Sequence, residues 1–483
     1  MEEDEKEKKK RIINDTLKNC AVFLNEENSN NSKWFSFKSY MKNASDTFKF
    51  NYLSRSLKTK YPENTKLQIY NNQFNLTDEN QRDKFENFLK NIIYFSYRKN
   101  YPNQKSYKTN EHYNSDCGWG CMIRSSQMIF AKAIYEIIKY GGEDISHSLF
   151  DTICCFIEYP FNVSETPPIL SKYKKKIEDL FTNKKKNEKL KNENENKEII
   201  EKKEKNEKEI GIKNDIISNN RNKKIIGIYP PFSIKNICSI GEIVNKSCGE
   251  WFSDANMPII FKIINNNYKI IDNLEIINFQ TTIIIDKILK KCFKEISLHN
   301  KNFKENNSFL FENKKYQFIK YGLIFVSVRI GINSIDKVYY ESIKNLFNCK
   351  ECLGFIGGKS YKASYFIGHD DNNILYLDPH HAQDSVIPPL NSEKIQSYLN
   401  KTIFQLSFEK LQPAFTIAFL FRDLNEFKDL YQYFTQNTSN DNSCFFFSNH
   451  NFFNHDSSDD NDNYKERKKK KNDIYIDNEN DDF

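Results

Sequence analysis

"DCGWGCMIRSSQMIFAKAI", Asp116–Ile134, breaks sharply from a chain otherwise rich in Asn, Lys, Glu and Phe. Two glycines and a tryptophan run into a cysteine, and apolar residues then recur with a helical period. Gly118–Gly120 read as a turn. The helix after it runs towards Tyr140, where Gly141-Gly142 end it. Cys121 therefore stands at a helix N-terminus, where unpaired N–H groups and the positive end of the helix dipole stabilise a thiolate. Its own N–H points the same way and can bind a developing oxyanion. Cys117 precedes the turn and lacks that field. A cysteine alone is more often a small buried residue, so Cys121 counts as a nucleophile only if a base is at hand.

The chain has eight histidines. The one with a carboxylate nearby lies in "ILYLDPHHAQ", where Asp378 and His380 straddle Pro379. Proline favours extended backbone around itself, and residues i and i+2 of an extended segment share a face. The Asp378 carboxylate can then orient the His380 imidazole and stabilise its protonated form, leaving the other ring nitrogen for a thiol. His381 points to the opposite face and is the weaker candidate. Tyr97, in "YFSYRKNYP" before the nucleophile turn, can bring a phenol hydroxyl to an oxyanion hole. With 27 tyrosines in the chain, a core tyrosine is the competing reading. "CKEC", Cys349–Cys352, has metal or redox spacing, but no second pair completes a zinc site. It reads as a loop with two incidental thiols. "GGK" at 357–359 lacks P-loop spacing and reads as a turn.

Composition narrows the class. Hydrophobic residues make up 38% of the 483, and the polar excess sits in a few runs between Ile/Phe/Tyr-rich segments. The net charge of +7 mixes both signs, with no sustained basic face for nucleic acid. The brief basic run "ERKKKKND" reads as a solvated tail. The charged "MEEDEKEKKK" is no signal peptide, and no run reaches a membrane-spanning length. The expectation is a soluble cytoplasmic monomer whose 11 cysteines are free thiols, without cofactor or metal.

Residues 1–65 read as a flexible extension, 66–436 as one domain and 437–483 as a disordered tail. The low-complexity run 172–224 reads as an insertion too polar to pack, and 297–315 as a polar loop. A helix is expected after Thr77 as its cap. Strand signals at "TTIIID", "GLIFVSVRIG", "SYFIGHD", "NILYLDPH" and "FTIAFLF" gather late and helices early. That order argues for an α+β fold with a mainly antiparallel sheet.

"SDCGWGCMIRSSQMIFAKAI" and "GGKSYKASYFIG…ILYLDPHHAQ" resemble the autophagin family of cysteine proteases. "FSYRKNYP", "YPPFSIKNICSIGEIVNKSCGEWF", "GLIFVSVRIGINSIDKVYYESI" and "PAFTIAFLFRDLNEFKDL" are similar to further blocks of that family, so the likeness runs from about Leu67 to Phe434. It implies a papain-like fold with a small extra α/β subdomain. By motif it makes Cys121 the nucleophile, Asp378 the orienting acid, His380 the base and Tyr97 the oxyanion tyrosine. Trp251 matches a tryptophan bordering a narrow substrate channel, and Cys349–Leu353 stands where the family has a gate over it. "FSDANMP" replaces the usual aromatic-Gly-Pro-Asn, with Asp254 as a helix cap. The implied reaction is cleavage after a C-terminal glycine of the ubiquitin-like autophagy modifier and release of that modifier from phosphatidylethanolamine. Membrane contact would be transient, through the lipidated substrate. A protease of the Ufm-specific class shares the Gly-Trp-Gly-Cys turn and the Asp-Pro-His, but the "PFSI" to "GEWF" block argues against it. A non-catalytic modifier binder is disfavoured by the complete Cys/Asp/His set.

Overall fold

The late strands assemble into one large sheet. The computed structural model describes residues 2–23, 65–181, 225–297, 308–359, 362–399, 402–437 and 442–449. Across the sheet the order is Phe404–Ser407, Asn373–Leu377, Lys362–His369, Cys352–Lys359, Ala414–Phe421, Tyr321–Arg329 and Leu274–Gln280, with the hairpin of Lys66–Ile69 and Asn72–Asn75 joined to Lys362–His369. Every pairing is antiparallel except the outermost, where Leu274–Gln280 runs parallel to Tyr321–Arg329. The α+β reading with a mainly antiparallel sheet holds. Leu274–Gln280 and Cys352–Lys359 were not marked as strands. Leu274–Ile277 is buried at every position, so it shows no apolar/polar alternation to read.

The helix Cys121–Tyr140 keeps its expected bounds. It lies across Cys352–Lys359 and Lys362–His369, and nearly its whole length is buried. One apolar cluster fills that side of the sheet and a second fills the other. The earlier helix is Glu79–Lys90, and its cap is Asp78, which accepts from the Asn80 N–H, rather than Thr77. Beyond it, Arg98–Lys105 is a strand that contains Pro102.

Several boundaries move. Glu2–Asn19, expected to be flexible, is a helix with Ile12, Thr16 and Leu17 buried on one face, and Cys20 directly after it is buried too. Ala21–Phe23 then pairs with Ile225–Ile228, which also pairs with Phe161–Asn162. Four residues at helical spacing suffice to dock an otherwise charged segment. The expected insertion begins later than residue 172: residues 171–181 are helical, with Tyr173 and Ile177 buried. Residues 182–224 lie outside the described part. The second half of the polar loop 297–315 is a hairpin, Ser308–Phe311 with Lys314–Phe318, extended by Phe293–Ile296. In the tail, Phe446–Ser448 pairs with Thr282–Ile284 while Cys444 and Phe445 enter the second core. Residues 450–483, the basic run included, are not described. Among the described residues no helix is long and apolar enough to cross a membrane.

Candidate active site

Four chain segments meet at one end of the sheet. Cys121 opens its helix after the turn Gly118–Gly120, with Gly118 at φ +86°, a left-handed value that suits glycine. Ala363, near the start of Lys362–His369, turns its backbone towards the Cys121 thiol. Asp378 and His380 follow directly on the strand Asn373–Leu377. Tyr97 precedes Arg98–Lys105 and is held on both sides: its N–H donates to the Pro379 carbonyl at 2.8 Å, and its own carbonyl accepts from the Gln383 N–H at 2.9 Å. The Tyr94 hydroxyl adds a bond to the Asp378 carbonyl at 2.6 Å. Tyr97, Cys117, Cys121, Ala363 and Ala382 form a small buried cluster of their own.

Within it the polar groups form a chain. One oxygen of Asp378, Oδ1, bonds to Nδ1 of His380 and also accepts the His380 backbone N–H at 3.0 Å. The Cys121 thiol hydrogen-bonds to the His380 side chain and to the Tyr97 hydroxyl. The Tyr97 ring stands edge-on to the imidazole, 5.3 Å between centroids at 85°. The sequence therefore named residues that the fold brings together. His381 is exposed, though Pro379 and His380 form a turn rather than the expected extended segment.

The charges follow from the geometry. Burial works against the imidazolium, yet the Asp378 carboxylate and the Cys121 sulfur beside it raise His380 to about 9. Burial would likewise raise Asp378, but the His380 charge, the bonds to it and the Lys362 charge hold the carboxyl below its ordinary value. Cys121 is lowered too: burial opposes the thiolate, and the bond and charge of His380, the Ala363 backbone and Tyr97 outweigh it. The arrangement favours a thiolate–imidazolium pair over two neutral groups. Tyr97, buried against Cys121 and Asp116, is pushed far above the usual phenol range and stays a hydrogen-bond donor.

Trp251 lies on the turn itself. Its Nε1 donates to the Gly118 carbonyl at 2.9 Å while 45% of the residue stays exposed. The expected gate at Cys349–Leu353 is elsewhere. Cys352 begins the strand whose far end, Lys359, pairs with Lys362 beside Ala363, about 23 Å away at the rise of a strand. That loop instead lines a 380 Å³ cavity with Lys132 and Glu136, the former about 16 Å along the helix from Cys121. Cys349 and Cys352 are buried there, and burial raises both thiols, Cys352 to about 12. Asp254 does not cap its helix: it accepts from the Thr416 hydroxyl at 2.9 Å, and Ser253 Oγ accepts the Asn256 N–H instead. Among the described residues no cluster of three or more His, Cys, Asp or Glu could hold a metal ion.

Sequence reasoning missed the polar groups behind the turn. Asp116, Arg124 and Glu158 form a fully buried ion-pair triad. Arg98 lies with its guanidinium 4.0 Å over the Tyr398 ring, and the Tyr398 hydroxyl donates to Glu158 at 3.0 Å. Asp116 and Arg124 flank the Gly-Trp-Gly-Cys turn in the sequence, so the signal was an acid and a base eight residues apart.

Comparison with known proteins identifies the family. The model of the Peptidase C54 catalytic domain matches residues 82–433. The chain is 24% identical over 360 residues to "Cysteine protease ATG4C" of Xenopus laevis, covering 73% of this chain and 70% of that one. It is 22% identical over 379 residues to "Cysteine protease ATG4D" of the same organism, covering 78% and 73%. Over a shorter stretch, 109 residues covering 22% of this chain and 14% of the other, it is 38% identical to "Cysteine protease atg4" of Dictyostelium discoideum. The chain belongs to the Peptidase C54 family, the autophagins, and is an autophagy-related cysteine-type peptidase.

Proposed function

We propose that the enzyme cleaves the precursor of a ubiquitin-like autophagy modifier after its C-terminal glycine and also releases that modifier from phosphatidylethanolamine. The observation that carries this reading is the Trp251 Nε1 bond to the carbonyl of Gly118, three residues before a Cys121 thiol already bonded to His380. A cleft edged by that ring admits a glycine tail and resists larger side chains.

In this reading the Cys121 thiolate attacks the glycyl carbonyl carbon. The oxyanion is met by the Cys121 N–H and the Tyr97 hydroxyl. His380, oriented by Asp378, gives its proton to the leaving nitrogen as the C–N bond breaks. The leaving nitrogen is a peptide amine in the precursor and the ethanolamine amine in the lipid form, so both substrates converge on one glycyl thioester. His380 then takes a proton from water, which attacks the thioester and frees the thiol. No metal or cofactor is required by these steps. Such an enzyme works in the cytoplasm and meets membranes through its lipid-anchored substrate.

The test is incubation with a modifier precursor carrying a C-terminal extension, and with modifier conjugated to phosphatidylethanolamine in vesicles. Wild type releases glycine-ended modifier from both while Cys121→Ala releases none. Equal rates for the two proteins would end the proposal.

A further inference from the structure

The nucleophile turn and the Tyr97 segment are distant in sequence, yet one carboxylate holds both. Asp116 Oδ1 accepts the backbone N–H of Arg98, the residue after Tyr97, at 2.7 Å. The Asp116 N–H returns a bond to the Arg98 carbonyl at 3.2 Å. The Asp116 carbonyl accepts the N–H groups of Trp119 at 3.3 Å and Gly120 at 2.9 Å, the two residues before Cys121. Arg124, one turn into the helix, donates Nε to Asp116 Oδ2 at 2.7 Å and a terminal N–H to Oδ1 at 3.2 Å. The fit is close. A Cβ added at Gly120 would meet Asp116 Cβ and Oδ2 at 2.6 Å, so the carboxylate reaches under the turn only because residue 120 has no side chain.

The surroundings are built to keep this carboxylate in place. The other arm of Arg124 pairs with Glu158, and Arg98 donates to the carbonyls of Asp384 at 3.0 Å and Ser397 at 2.8 Å. Asp116, Arg124, Glu158 and Arg98 are all fully buried. Two cations balance two anions, which is what makes burial of four charges tolerable. None of the four touches the Cys121 thiol in the chain of bonds described above.

We propose that Asp116 is a positioning residue for the peptidase reaction: it sets the Tyr97 hydroxyl and the Cys121 thiol at one fixed separation, so that oxyanion donor and nucleophile address the same carbonyl. The proposal rests on the roles given to Cys121 and Tyr97 above. Its physical basis is that a displacement of about 1 Å between reacting groups costs on the order of 100-fold in rate.

The test compares two isosteric variants of the triad. Asp116→Asn replaces one carboxylate oxygen by an NH2 donor, so either the Arg124 Nε loses its acceptor or the Arg98 N–H and the Arg124 terminal N–H lose theirs. Glu158→Gln also removes a carboxylate from Arg124, but on the side away from the turn. For each, kcat and KM on the extended precursor and the rate of Cys121 alkylation by iodoacetamide are measured well below the melting temperature. Asp116→Asn is expected to lose on the order of 100-fold in kcat with KM changed less than about threefold. Glu158→Gln should keep kcat within about threefold of wild type even where its melting temperature falls as far. Equal kcat in the two variants, or a loss confined to KM, overturns the proposal. If Asp116→Asn does not fold, Arg124→Lys takes its place. It keeps the charge and loses the two-pronged bond; a lower kcat at constant KM supports the proposal, and an unchanged kcat overturns it. If wild type cleaves no faster than Cys121→Ala, the assigned reaction fails. Alkylation then decides positioning by itself: slower Cys121 labelling in Asp116→Asn than in Glu158→Gln supports it, and equal labelling overturns it.

Discussion

The Trp251 indole donates to the carbonyl of Gly118, 133 positions earlier in the chain, at 2.9 Å. On the proposed reading this ring narrows the approach to Cys121, and 45% of the residue stays exposed. Trp251→Ala should relax selection at the residue before the scissile bond. Precursors ending in glycine and in alanine are compared by kcat/KM. The preference for glycine is expected to fall by about 10-fold, the scale of a methyl-sized discrimination. An unchanged ratio would place the selection elsewhere.

Activity should have two limbs in pH. Cys121 is lowered and His380 is raised to about 9, so kcat/KM rises as the ion pair forms and falls again near pH 9 as the imidazolium is lost. Removing the Asp378 charge withdraws the largest influence raising His380, so Asp378→Asn should move the alkaline limb to lower pH. His380 and Asp378 both contribute stability, with opposite dependence on pH. That from His380 is fully present below its unfolded pKa and is lost as pH rises through about 9. That from Asp378, whose carboxyl is depressed, is present above the unfolded value and lost as pH falls through the folded one. A pH series of melting temperatures for wild type and Asp378→Asn reads this; coincident curves would refute it.

Reagents should discriminate among the cysteines. All eleven are free and buried. Burial raises Cys20 to about 11 and Cys444 to about 12, whereas His380 keeps Cys121 low. With limiting iodoacetamide at neutral pH, mass spectrometry should find Cys121 modified before Cys20, Cys352 or Cys444. Denaturant should abolish the preference. Equal labelling in the native protein would contradict the thiolate–imidazolium pair.

Docking of the N-terminal helix is open to a stability measurement. Leu17 is 3% exposed and joins the main core. Leu17→Ala should cost about 2–4 kcal/mol in urea unfolding. A change below about 0.5 kcal/mol, the scale of a surface substitution, would mean that the helix does not pack there.

The local features were legible because each is set by neighbours in the chain. Glycines around Trp119 and a 3.6-residue apolar period are enough to place a helix start at Cys121 and its end at Tyr140. Asp378 and His380 meet although Pro379 and His380 lie in a turn rather than the expected extended segment: Asp378 Oδ1 accepts the His380 backbone N–H, and this local bond brings the carboxylate to the ring. The docked helix at Glu2–Asn19 was hidden because its few apolar residues sit among many charges. Their value depends on a partner surface hundreds of residues away.

By itself, then, the sequence determined the family, the turn before Cys121 and the start of the helix that follows it. Tertiary structure decided the rest. Whether Cys349–Leu353 could roof Trp251 depended on the direction of a strand, which takes it to the opposite end of the sheet. Whether Asp116 and Arg124 were surface charges or a buried clamp depended on Glu158 and on the Arg98 backbone, which only the fold brings within reach. Local conformation is written in short-range sterics and periodicity, whereas the pairing of buried charges exists only once distant segments have excluded water together.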